Sequence, residues 1–282
     1  MAATIKRMKQ ESIEQLIALN NEFYMQSAPS FSATRHNSWP GWERLVDCIW
    51  EYFAGSSTEA TPPMTTGERK HAGPLQLAVL DLACGNMRFE RYLEQKLPNF
   101  AFNFHTVDSC TEFAWENVES PLTFTQFDLI QSLSAAKQSE AAEALQGKTP
   151  CQLVVSFAFM HHIPSEKLRL RFLCQLLDAV APGGLACVSL WRFAEEESMA
   201  AKAQDSTAEA LRTLKSDDLE PGDYLLGWQN KAQSWRYCHS FTNQEIENLI
   251  HCANAQAQLL DRYESDGRNG RMNCYLIFQK RQ

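Results

Sequence analysis

Apolar and polar positions divide the chain into a helical start, an alternating middle and a mixed tail. Residues 1–53 place Ile13, Leu16, Ile17 and Phe23 at helical spacing, which predicts an amphipathic helical cap. Residues 54–74 are dominated by small polar residues, Pro and Gly, and are expected to form a flexible loop. From residue 75 the pattern changes to short apolar runs separated by helical periods. The runs are LQLAVLDLACG, AFNFHTVDS, LTFTQFDLI, CQLVVSFAFMHHI and LACVSLWRF. Between them MRFERYLEQKL, SLSAAKQSEAAEALQGK and PSEKLRLRFLCQLLDAVAPGG read as helices, the last followed by a Pro-Gly-Gly turn. Strands that alternate with helices must run parallel with crossover connections. Residues 194–221 are acidic and Ala-rich and read as an insertion. Beyond them come a turn-rich stretch with Trp228 and Trp235, a helix over Thr242 to Cys252 and a final strand, NCYLIFQK. Two late strands would add an antiparallel edge. The expected fold is a doubly wound, mostly parallel seven-stranded α/β sheet with helices on both faces, formed by residues 75–282 as one domain.

Composition narrows the class. The chain has 282 residues, 44% of them hydrophobic and 21% charged, as in ordinary globular proteins. No apolar run reaches the ~18 residues that span a bilayer, and the N-terminus lacks the apolar core of a signal peptide. The nine cysteines are odd in number and contain no Cys-x-x-Cys pair, so neither a disulfide framework nor a metal site is expected, and a cytoplasmic setting is. The net charge of −8 argues against a chain built mainly to bind nucleic acid.

The chemistry gathers at the strand ends. The first strand closes on Asp81-Leu82-Ala83-Cys84-Gly85-Asn86, where small residues allow a ligand to approach the backbone. Asp81 is placed to accept from a cationic amine. Asp108, ending the second strand ahead of Ser109, suits the two hydroxyls of a ribose, and Asp128, after the third, an adenine amino group. Taken singly, each acid also reads as a turn or helix cap. Together they fit a nucleoside that carries positive charge. A dinucleotide would require G-x-G-x-x-G; this turn has one glycine, and Met87 would crowd a pyrophosphate. His161 and His162 end the fourth strand, where they would orient an acceptor or act as a base. As strand neighbours they would point to opposite faces and form no metal pair.

DLACGNMRF resembles motif I of the class I S-adenosylmethionine (SAM)-dependent methyltransferases, D-x-G-C-G-x-G, departing at Ala83 and Met87. SFAFMHHIPSEKLRLRFL followed by LDAVAPGGLACVSLW is similar to the family's fourth strand, helix and fifth strand. EFYMQSAPSFSATRHNSWPGWERL, HHIPS, GDYLLGW and WRYCHSFTNQEIENL look like the tRNA wobble-uridine carboxymethyl methyltransferases, and most like their short prokaryotic relatives. The resemblance implies SAM as cofactor, held around Asp81, Ala83, Cys84, Gly85, Asn86, Arg88, Asp108, Ser109, Asp128, Ser156 and Phe157. It also implies methylation of a carboxylate in tRNA; eukaryotic members of that family work with a small zinc-binding activator subunit, a candidate partner here. A carboxylate is already ionised at neutral pH and needs cations rather than a base. Arg35, Arg236 and His239 are the candidates, with His161 beside them and Tyr237 lining. Arg35, Arg44, Arg169, Arg171, Arg236, Arg262, Arg268 and Arg271 would form the basic face for RNA, and Trp39, Trp42, Trp228 and Trp235 would stack a base or fill the core. Two other functions compete: methylation of a small metabolite, which the acidic surface suits, and a catalytically silent SAM-fold binding protein.

Overall fold

A computed structural model describes residues 8–34, 36–55, 73–111, 113, 117–134, 150–214, 218–228 and 234–282. The candidate loop at residues 56–72, most of the Ala-rich helix expected before Cys151, and Arg35 lie outside them.

The helical start is two helices, α1 (Gln10–Ser32) and α2 (Gly41–Ile49), the second running on into a π-helical turn, Trp50–Ala54. The sheet then begins. Its strands are β1 (Leu75–Leu82), β2 (Phe100–Asp108), β3 (Leu122–Gln126), β4 (Cys151–Ser156), β5 (Val180–Trp191), β8 (Ala257–Ser265) and β9 (Asn273–Lys280). They lie in the order β3-β2-β1-β4-β5-β9-β8, parallel except for β9. The helices between them are α3 (Arg88–Lys96), α4 (Leu129–Ser134), α5 (Glu166–Asp178), α6 (Glu197–Leu214) and α7 (Asn243–Ala253). The architecture is thus α/β, with a mostly parallel seven-stranded sheet between helices.

The continuous apolar run of β1 follows from this burial. Leu77 and Val79 pack on one face with Trp42 and Leu45 of α2 and Phe89 and Leu93 of α3. Leu80 and Leu82 pack on the other with Ile13 and Leu16 of α1 and Phe172 of α5. A strand covered on both sides has no polar face to show. Several caps are local and legible: Ser165 accepts from Leu168 N at the start of α5, and Thr242 and Glu245 form a reciprocal capping box on α7.

Three details depart from the sequence reading, and a fourth, the partly helical insertion, extends it. The turn-rich stretch before α7 contains a separate two-stranded hairpin, β6 (Asp223–Gly227) with β7 (Trp235–His239). The insertion is largely the single helix α6, which packs on β6 through Ser206 Oγ to the Leu225 carbonyl and Leu225 N to Thr207 Oγ1. The Pro-Gly-Gly segment belongs to β5, its irregularity absorbed by a register shift against β4 between Cys151 and Leu153. His161 and His162 sit in a 3₁₀ turn, Met160–His162, with ring centroids 4.1 Å apart. The strand argument for opposite faces therefore does not apply to them.

Candidate functional site

In an open parallel sheet the connections leave a crevice where strand order reverses. Here β1 lies between β2, reached first, and β4, reached later. A cavity of about 400 Å³ opens beyond the tips of these strands, within the usual range of small-molecule sites.

The turn after β1 shapes one side. Ala83, Gly85 and Met87 all have positive φ, at 66°, 57° and 61°. This is the left-handed conformation that costs a residue with Cβ roughly 1–2 kcal/mol. Such geometry explains why glycine suits these positions. It also shows that Ala83 and Met87 adopt the tight turn without it. Met87 caps α3 and is buried.

Asp108 ties the turn to β2. Its Oδ2 accepts from Gly85 N at 2.9 Å and its Oδ1 from Cys110 N at 2.9 Å. Burial pushes this carboxyl up to about 6, against the pull of those backbone N–H groups and that of Ser109. Asp81 is 3% exposed and lines the cavity, and its Oδ1 has no hydrogen-bond partner among the described residues. Burial and the neighbouring Glu90 and Asp108 hold it well above the usual carboxylate range. Asp128 accepts from Asn21 Nδ2 at 2.8 Å and caps α4 through Gln131 N at 2.9 Å, so it fills a capping role while lining the cavity.

Ala83, Cys84, Asn86, Ser109 and Phe157 also line this space. Arg88 does so while stapling the chain ahead of α2. It donates to Asn86 Oδ1 and the Asn37 carbonyl and lies over the rings of Trp39 and Trp42. Ser156 does not reach the cavity. It is fully buried and donates to the Leu82 carbonyl, bracing β4 against β1.

Across the switch point a different group gathers. Arg236 of β7 lines the cavity, 7% exposed, with its guanidinium over the rings of Phe23 (5.3 Å) and Trp228 (5.4 Å). Beside it Tyr24 donates to His162 Nε2 at 2.7 Å. This direction is set by His162 Nδ1, which lies 3.0 Å from the Tyr237 carbonyl and must give its proton there. His161 packs against Trp191 with ring centroids 4.9 Å apart and planes tilted by 54°, and both line the cavity. Ligand-type atoms of His161, His162 and Cys238 come within 4.8 Å of one another, but both ring nitrogens of His162 already have partners.

His239 is not part of this group. It is fully buried, clamped between Asp223 at 2.7 Å and Glu245 at 2.8 Å. Tyr237 Oη donates to the same Asp223, and Arg169 pairs with Glu220 and Glu245. These contacts fasten the hairpin to α5 and α7. The strand alternation that turns Arg236 into the cavity leaves Tyr237 and His239 on the other side. Trp42 and Trp235 are core residues, and only Trp42 of the two also touches the cavity.

Tyr24, Trp191 and Glu90 carried no local signal. A carboxylate in the first turn of α3 reads as an ordinary helix-start acid.

No protein-family model matches the chain, and no curated protein matches it. Solved structures do resemble it. A SAM-dependent methyltransferase from Methanosarcina mazei superposes with a TM-score of 0.51 at 15% identity, over 73% of this chain and 93% of that one. The 1,6-didemethyltoxoflavin-N1-methyltransferase of Burkholderia thailandensis, solved with 1,6-didemethyltoxoflavin and S-adenosylhomocysteine, superposes with a TM-score of 0.54 at 13% identity, over 100% and 94%. Both likenesses are of fold: the chain has the Rossmann-like, mostly parallel α/β fold of these SAM-dependent methyltransferases.

Proposed function

We propose that the chain is a SAM-dependent methyltransferase acting on a small anionic acceptor. The observation that carries this is one cavity with two chemistries: buried acids at the tips of β1 and β2, and buried Arg236 with Tyr24, His161 and Trp191 on the other side of the sheet reversal. SAM fits the first side by the character of its donors. Asp81 presents a buried, unpartnered carboxylate oxygen suited to an ammonium group, and Asp108 an acceptor suited to ribose hydroxyls. Phe127, Leu129 and Ile130 offer apolar surface to a purine. When bound, SAM supplies an electrophilic methyl group on a sulfonium.

The residues of the second side do the remaining work. Arg236 would hold a carboxylate or similar anion, an attraction that its buried setting strengthens. Tyr24 is held in one orientation by His162, and His161 and Trp191 present flat surfaces to the acceptor. Alignment of this kind is the main source of rate in a displacement that needs no base, worth up to ~7–11 kcal/mol.

A wobble-uridine carboxylate in tRNA is the second reading, and Arg236 suits it equally. The proposed basic face tells against it. Arg44 is paired with Asp261, Arg169 with Glu220 and Glu245, Arg262 with Glu247 and Arg271 with Glu264, while Arg171 donates to the Leu133 carbonyl. Arg169 is buried in its pairs, and the more exposed Arg44, Arg262 and Arg271 would have to exchange theirs to meet phosphates.

Incubation with methyl-labelled SAM, bulk tRNA and a metabolite extract separates the readings. Label is expected in an acidic small molecule, and the Arg236→Met variant is expected to lose it while still binding S-adenosylhomocysteine. Label confined to tRNA would reverse the order of the two, and absence of S-adenosylhomocysteine binding would end both.

A further inference from the structure

Glu90 is fully buried in the first turn of α3, and neither of its carboxyl oxygens has a conventional hydrogen-bond donor among the described residues. Asp81 lies against it on the same face of the sheet, within reach of a carboxyl–carboxyl hydrogen bond, which requires a proton on one of the two. The adjoining Thr106 Oγ1 is likewise buried and unpartnered. The arginines next to Glu90 in sequence turn away, Arg88 to Asn86 and the Asn37 carbonyl, Arg91 to the His36 carbonyl. Among the described residues, the titratable groups that face the pair are Asp108 from β2, Cys84 from the turn and Glu94 from the next turn of α3, and none of these is a cation.

Two buried carboxyls without a counter-ion cannot both ionise at modest cost. A fold selected for stability alone would place leucine or glutamine at position 90. Asp81 touches the cavity and Glu90 stands behind it, so a cation arriving at Asp81 supplies the missing charge to both.

We propose that Asp81 and Glu90 are a shared-proton pair that releases its proton when the ammonium group of the cofactor's methionine moiety docks, so that Glu90 makes cofactor binding proton-linked. This rests on the SAM reading above. Glu90 is here a positioning residue. It touches no ligand and acts through the charge of Asp81. The same device selects against nucleosides that lack the ammonium group, because these leave the pair protonated and gain nothing from it.

Burial pushes Glu90 up to about 7, which puts the linkage near neutrality. Below that pH the empty pair holds the proton and the ligand must displace it. Apparent affinity therefore rises with pH, by at most about tenfold per unit for one proton, and levels off above. Asp108, pushed up to about 6, titrates nearby and would add its own linkage on the ribose side. It must be subtracted.

Calorimetric titration in buffers of different ionisation enthalpy counts released protons directly, without turnover. S-adenosylhomocysteine carries the ammonium group; 5′-methylthioadenosine keeps the nucleoside and lacks it. At about pH 6.5 the first is expected to release up to one proton more than the second from the wild-type protein. In Glu90→Gln, which removes a buried charge at nearly constant shape, both are expected to bind and the difference to vanish. Equal proton counts for the two ligands in the wild type, a measurement that needs no variant, would overturn the proposal. So would a difference that survives Glu90→Gln. If neither ligand binds, the cofactor reading fails first and the pair's role fails with it.

Discussion

The two sides of the cavity are built in opposite ways. The acidic side is local: Asp81, the turn through Met87, and Asp108 come from one β-α-β unit, and adjacent parallel strands bring them together. The basic and aromatic side is assembled from distant segments: Tyr24 from α1, His161 and His162 from the turn after β4, Trp191 from β5 and Arg236 from the hairpin. The first side tolerates buried charge and left-handed backbone. The second is tied by long-range contacts, as from Tyr24 to His162 and from His162 to the Tyr237 carbonyl. On the proposed reading, recognition of a shared cofactor is written in one motif, whereas a site for a particular acceptor draws on whatever segments the fold brings near.

The largest effect that would test this contrast lies behind the acceptor side. His239→Ala leaves Asp223 and Glu245 facing each other without the imidazole, and removing one partner from such a buried network costs ~3–5 kcal/mol. Thermal or urea unfolding should show that loss, with S-adenosylhomocysteine affinity of the folded fraction unchanged. A pH limb accompanies it. Glu245 is held down to about 2 by its bonds to His239 and the Thr242 N–H, which outweigh its burial. Its stabilisation is complete above the ordinary carboxylate range near pH 4.5 and disappears as pH falls toward 2. The variant should lose that part of the acid unfolding profile. A fall in cofactor affinity in His239→Ala would show that the two sides are not separable.

A middle-sized effect belongs to the cofactor side. Asp108→Ala should weaken S-adenosylhomocysteine binding by ~1–3 kcal/mol, the cost of losing hydrogen bonds to a charged group. Calorimetry giving an unchanged affinity would remove the ribose assignment and leave Asp108 only as the anchor of the Gly85 turn. The smallest effect is in that turn. Ala83→Gly relieves a left-handed residue at φ 66° and should stabilise the protein by up to ~1 kcal/mol. A loss of stability instead would mean that the Ala83 methyl group, which packs against the core, matters more than the backbone conformation.

How much was legible follows the same division. The apolar run of β1 and the acids at Asp81 and Asp108 were readable because a doubly covered strand and its terminal turn are determined within a dozen residues. Arg236 was readable as a side chain but not its setting, since Phe23 and Trp228 come from elsewhere. His239 was misassigned to the acceptor because sequence shows a histidine near an arginine, not the Asp223 and Glu245 that enclose it. The hairpin was missed because its strands are short and joined by a polar stretch.

The order of helices and parallel strands, the acidic strand ends and the small-residue turn were set by the chain's own local pattern, through periodicity and backbone sterics. Which polar groups were to be buried without partners, which arginines spent on ion pairs, and which histidines turned to the cavity or to the core were decided only by the tertiary structure. Those outcomes depend on partners tens to hundreds of residues away, and a local pattern carries no information about which partner a buried group will meet.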